Sequence, residues 1–168
     1  MPVDMFDKLF LFRNLDSSQR DIIRPIFVPC SFRAGTVIFE QGEATDSLYL
    51  IIDGEVVINF KPDDGPSLVV ARVHEEGVVG WSAALGSPSY TSSAACSTNC
   101  QMLRVRGADL RSLCEKHPET GAQVLERLAT VIAERLRNTH EHVIALLENG
   151  LQVRSQAAVH KYLTAGHS

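Results

Sequence analysis

The chain has 168 residues, with sixteen Lys and Arg against twenty Asp and Glu, a net charge of −4. Hydrophobic residues make up 45% and charged residues 21%, the balance of an ordinary globular domain, which excludes a disordered chain, a collagen-like repeat and a disulfide scaffold. A chain of this length buries roughly 68–70% of its unfolded surface, so one core needs no cross-link, and a net acidic chain is a poor match for a phosphate backbone.

The opening residues, MPVDMFDKLF, lack a basic n-region and a long apolar h-region, so no signal peptide is expected. Met5, Phe6, Leu9 and Phe10 recur at helical spacing, and Ser17-Ser18-Gln19-Arg20-Asp21 is a start signal ahead of Ile22, Ile23 and Ile26. Residues 1–27 are therefore expected to be helical. The four cysteines, Cys30, Cys96, Cys100 and Cys114, fit no zinc spacing and are expected to be reduced, buried small hydrophobes. No metal site is expected, and the expected location is the cytoplasm.

From residue 28 to 106 the pattern changes to short apolar runs broken by turn residues. Strands are expected at Val28–Phe32, Thr36–Phe39, Ser47–Ile52, Glu55–Phe60, Ser67–Val73, Tyr90–Ala95 and Gln101–Val105. The densest run, Leu48 to Ile52, is far too short to span a bilayer, so no membrane association is expected. Asp53-Gly54 between two apolar runs signals a tight hairpin, and Asp63-Asp64-Gly65 is read as a hairpin tip rather than a calcium loop. Strands spaced in this way suggest a small antiparallel sandwich or barrel.

Helical periodicity returns at residues 107–148. Leu110 and Leu113 anchor a short helix expected to stop near His117, because the residue before Pro118 avoids helical geometry. Pro118 then suits the first turn of a new helix. Leu125, Leu128, Ile132, Leu136, Thr139, Val143 and Leu147 recur on average every 3.7 residues or about that, one stripe on a straight helix. Val124, Val131 and Ile144 widen it. A stripe this long needs a second surface, so a homodimer along Leu125–Leu147 is expected. Asn149-Gly150 is a C-cap candidate, and 149–168 is read as a short tail. His140-Glu141-His142 is read as a solvated face, because residues two apart on a helix point in different directions.

Gly35 to Glu43, followed by Leu48-Tyr49-Leu50-Ile51-Ile52-Asp53-Gly54-Glu55-Val56, resembles the cyclic-nucleotide-binding domain family. Val73 to Gly80 resembles the approach to that family's phosphate-binding cassette, Thr98-Asn99 with Met102 to Val105 its last strand, and the helix after Pro118 the dimer helix of its catabolite-activator-like branch. The resemblance implies an α+β fold: an antiparallel, jelly-roll-like β-roll (a double-stranded β-helix) flanked by N-terminal helices and a long C-terminal dimerisation helix, all within residues 1–148.

The cassette of nucleotide-binding members begins Gly-Glu-x-Ala-Leu, and an arginine follows ten residues after the glycine. The glutamate accepts a hydrogen bond from the ribose, and the arginine pairs with the cyclic phosphate. Here the stretch is Gly80-Trp81-Ser82-Ala83-Ala84-Leu85-Gly86-Ser87-Pro88-Ser89-Tyr90. Trp81 stands in the glutamate position and Tyr90 in the arginine position, and residues 73–103 contain neither Lys nor Arg. Candidate ligand residues are Gly80, Trp81, Ser82, Ala83, Leu85, Tyr90, Thr91 and Ser92. Two readings stay open: amides near Ser82–Ala84 facing an anion, or a vestigial pocket with Trp81 filling the nucleotide space.

No nucleophile with a base, Gly-rich phosphate loop or metal motif occurs, so no enzyme is expected; the rival class is a small nucleotide hydrolase. No cofactor is certain, and a cyclic nucleotide is disfavoured. DNA binding by the chain itself is not expected, since only eighteen residues follow Gly150 and a helix-turn-helix needs more. The expected function is a stand-alone regulatory or sensor domain with a degenerate cassette, acting through dimerisation and a partner protein. The alternatives are a genuine cyclic AMP, cyclic GMP or other small-ligand regulator, and a transcription-regulator relative without a DNA-binding domain.

Overall fold

The structure, a computed structural model, describes residues 8–83, 86–134, 144, 147 and 148. The chain divides into two units, Met1–Ala133 and Glu134–Ser168.

The first unit opens with a short 3-10 turn, Phe10–Phe12, and a helix α1 at Ser17–Ile23. The start of α1 is set by Asp16, whose carboxylate accepts from the Gln19 amide while the Gln19 side chain accepts from the Asp16 amide. This reciprocal pair satisfies two otherwise orphaned donors. A second 3-10 turn, Arg24–Ile26, leads into the strands.

Eight strands follow: β1 Val28–Phe32, β2 Val37–Phe39, β3 Ser47–Asp53, β4 Val56–Phe60, β5 Leu68–Val73, β6 Val78–Val79, β7 Ser93–Cys96 and β8 Cys100–Arg106. They form two antiparallel four-stranded sheets, ordered β1-β8-β3-β6 and β2-β7-β4-β5. Seven of the eight coincide with expected strands; the two-residue β6 is too short for any periodicity to show. Helix α2 follows at Gly107–Lys116, capped at His117, and a third helix, α3, occupies 118–134.

The first sheet is covered on both faces. Leu48 and Leu50 of β3 with Leu103 and Val105 of β8 pack onto Leu11, Phe12, Ile23, Leu110, Val124 and Leu128 of the helical layer. Ile51, Cys100 and Met102 face the other way, into the roll, against Val56, Ile58, Val73 and Ala94 of the second sheet. This double burial is why Leu48 to Ile52 reads as a continuous apolar run rather than an alternating one. Each large side chain taken fully from water there contributes about 1.5–3 kcal/mol.

Asp53-Gly54 is not a hairpin, contrary to expectation. β3 and β4 belong to different sheets and do not pair. Gly54, at φ +111°, carries the chain across the end of the roll, and a Cβ there would lie 2.6 Å from the Asn99 carbonyl oxygen. Close approach to the β7–β8 corner, not a two-residue turn, demands this glycine. The true hairpin is β4–β5, paired from Val56 with Val73 to Phe60 with Leu68 around a register shift between Ile58 and Asn59, with the Asp63-Asp64-Gly65 tip where expected.

Helix α3 splits the expected stripe. Leu128 is 3% exposed and Val124 is fully buried in the helix-side core, while Leu125 is 40% exposed. Leu128 therefore belongs to the domain's own core and not to a free face. Leu136 and Val143, together with His140-Glu141-His142 and the tail 149–168, lie outside the described residues. In the second unit the described residues are helical, with Ile144 and Leu147 exposed. No helix among the described residues is long and apolar enough to cross a membrane.

Candidate functional site

The cassette begins at Gly80, between β6 and a three-residue 3-10 turn, Trp81–Ala83. Gly80 has φ +77°, and a Cβ on it would lie 2.9 Å from the Ser47 carbonyl oxygen, 3.2 Å from the Phe39 ring and 3.3 Å from the Tyr90 ring. The glycine thus lets the backbone approach two aromatic rings already in the roll.

Tyr90 is one of those rings. It is 5% exposed and lies flat on Phe39, with centroids 3.8 Å apart and planes 12° from parallel. Phe39 stacks in turn on Tyr49, and Tyr49 meets Phe32 edge-on. The Tyr90 hydroxyl donates to the Ser47 carbonyl at 2.7 Å and accepts from the Ser47 amide at 3.2 Å. Its backbone is held as well: Tyr90 N–H donates to Glu43 O, and Gly42 N–H to Tyr90 O, both at 2.9 Å. Burial pushes the neighbouring Tyr49 phenol up from its ordinary value, so that ring stays neutral at physiological pH.

Trp81 goes elsewhere. It packs, half-buried, against the helix-side core and not within the roll. Phe39 and Tyr90 lie in the core of the roll, so Trp81 is not the aromatic that packs there. Ser82 and Ala83 are buried, and the Ala83 amide is bonded to Gly80 O at 3.1 Å, which removes it as a donor for an anion. Thr91 is exposed and Ser92 half-buried; Leu85 lies outside the described residues. The structure brings Gly80 and Tyr90 together and separates both from the Trp81 core.

Two partners of Tyr90 escaped sequence reading, Phe39 and Ser47. A buried tyrosine hydroxyl needs a hydrogen-bond partner, but nothing local marks a backbone group 43 positions away. The Ser47 hydroxyl itself is buried without a partner among the described residues.

One cleft adjoins the cassette and another lies beside the β4–β5 hairpin. The first, of about 260 Å³, borders Ala83, Ser87, Asp46, Gly107 and Arg111. That is below the range of about 300–1,000 Å³ typical of small-molecule sites. A larger one, about 550 Å³, is bordered by Glu40, Asn59, Lys61, Asp63 and Ser93, with two carboxylates that oppose a phosphate. Among the described residues no cluster of His, Cys, Asp or Glu is arranged to hold a metal ion. Cys96 and Cys100 are buried and Cys30 and Cys114 half-buried, all four free thiols. Burial, with the adjoining Cys100 thiol, pushes Cys96 up to about 12, which leaves it unreactive.

The family model of the cyclic nucleotide-binding domain matches residues 29–117, just over half of the chain. The chain belongs to the cyclic nucleotide-binding domain family. The chain is 28% identical over 137 residues to a CRP-like cAMP-activated global transcriptional regulator of Mycobacterium tuberculosis, covering 82% of this chain and 59% of that protein. It is 29% identical over 80 residues to a cAMP-dependent protein kinase regulatory subunit of Dictyostelium discoideum, 46% of this chain and 24% of the other. A cyclic nucleotide-binding domain from Methylobacillus flagellatus shares the fold, with a TM-score of 0.74 at 18% identity over 85% of this chain and 80% of that one. The Mycobacterium and Dictyostelium relatives are, by name, a regulator and a regulatory subunit. The chain spans about three fifths of the Mycobacterium relative's length.

Proposed function

We propose that this is a regulatory domain whose nucleotide cassette is occupied from within, so that neither cyclic AMP nor cyclic GMP binds in the usual mode. The observation that carries it is Tyr90. At the position where the family resemblance puts the phosphate-binding arginine, an aromatic ring is stacked on Phe39 and tied by its hydroxyl to Ser47. A cyclic phosphate keeps one negative charge, and burying it without a cation is costly. The lost arginine clamp alone supplied charge-assisted bonds of about 1.5–3 kcal/mol each.

With the ligand role closed, output runs through protein surfaces: self-association on α3 around exposed Leu125 and half-buried Ile132, and a partner protein. The reading includes no catalysis and no DNA binding by the chain itself. The name of the Mycobacterium relative favours a second reading, a cAMP-activated regulator.

A thermal-shift titration separates the two. At a hundredfold excess over Kd a ligand stabilises by about 2.7 kcal/mol, roughly 5–11 °C for a domain of this size. Millimolar cyclic AMP and cyclic GMP are expected to leave Tm unchanged. A rise of that order would establish the second reading.

A further inference from the structure

The free edge of the second sheet is a surface of a different kind. β5 is its last strand, paired on one side with β4 and, among the described residues, unpaired on the other. Its first residues are apolar and open to solvent: Leu68 and Val69 are each 52% exposed, and Phe60, paired with Leu68, is 40% exposed. An edge of this kind normally carries lysine, proline or a covering loop, since its unpaired amides and carbonyls template further pairing. Here the only charge within the strand is Arg72, held by Glu55 at 2.9 Å.

Carboxylates predominate at the hairpin and the cleft beside it: Glu40, Asp63 and Asp64 against Lys61. Asp63 and Asp64 cap the β4–β5 hairpin, and Glu40 and Asp63 border the 550 Å³ cleft beside it. The surface is preformed: Gln41 Nε2 donates to Lys61 O at 3.0 Å and Lys61 N–H to Gln41 Oε1 at 2.9 Å, which fixes the hairpin base to the β2–β3 loop. Preorganisation lowers the ordering cost of binding.

We propose that the β5 edge, with the acidic 61–67 hairpin, docks an extended basic segment of a partner protein by strand addition. Main-chain bonds to the free edge would give affinity, apolar side chains would cover Leu68 and Val69, and Lys or Arg would enter the cleft at Glu40 and Asp63. The proposal rests on the reading that the domain acts through a protein partner.

The test uses the full chain, ¹⁵N-labelled, titrated with a short synthetic peptide of alternating Lys and Val. A Glu–Val peptide is the control. Expected are shifts and slowed amide exchange confined to β5 and the hairpin, absent with the control, and weakened about tenfold or more by Val69→Lys and by Asp63→Lys with Asp64→Lys. Shifts scattered over the surface, or none at β5, would overturn the proposal. So would β5 shifts that grow with protein concentration alone, which would make the occupant a second copy. Cyclic AMP added to the same sample reports on the cassette amides of Gly80 and Tyr90, so a failure of the cassette reading is seen separately.

Discussion

Tyr90 does two things that substitution can separate. Tyr90→Phe keeps the stack on Phe39 and removes the hydroxyl, leaving the buried Ser47 amide and carbonyl without that partner. The expected cost is about 1–3 kcal/mol in urea unfolding; unchanged stability would show that the hydroxyl bonds contribute nothing. Ser47→Ala acts in the opposite sense. It removes a buried hydroxyl that has no partner among the described residues, so stability is expected to hold or rise slightly. Glu55 makes one contribution to the pH dependence of stability. Its carboxyl sits below its ordinary value because Ser97 donates to it first, with His74 and Arg72 adding to the effect. A depressed carboxylate contributes stability that is present above its unfolded pKa and lost as pH falls through the folded one. The Tm gap between wild type and Glu55→Gln is therefore expected to be constant above about pH 5 and to close below about pH 4; a gap that widens on acidification would contradict it. Tyr90 could be singled out in the sequence by register against the family motif. Its partners could not, since packing across the roll leaves no local pattern.

At the scale of elements, periodicity located the strands and helices well but did not tell which sheet each strand joins. β3 and β4 flank Asp53-Gly54 as a hairpin's strands would, yet they lie in different sheets. The deciding fact is the 2.6 Å approach of the β7–β8 corner to Gly54, a contact between distant segments. Helix α3 shows the same limit. Heptad-like spacing put Leu125, Leu128 and Ile132 on one stripe, but a stripe wide enough to serve two surfaces does not say which residue faces which. Leu128 is 3% exposed and Leu125 is 40% exposed. Leu128→Ala is thus expected to lower unfolding stability by about 2–5 kcal/mol. Leu125→Glu with Ile132→Glu is expected to lower the mass seen by light scattering while stability changes much less. A wild type already monomeric at micromolar concentration would remove the dimer from the account.

For the whole molecule, the sequence carried the fold class, the family resemblance and the two departures at Trp81 and Tyr90. What it did not carry was where the departures go. Trp81 joins the helix-side core and Tyr90 closes the roll, so a single cassette is divided between two cores. The central claim is that this closure excludes the family's usual ligands. Isothermal calorimetry of cyclic AMP and cyclic GMP against the full chain measures it most directly. The account predicts no binding tighter than about 100 µM, that is, less than roughly 5.5 kcal/mol, for the wild type, and measurable binding once Trp81→Glu and Tyr90→Arg are combined. A low-micromolar Kd for either nucleotide on the unaltered protein would contradict it.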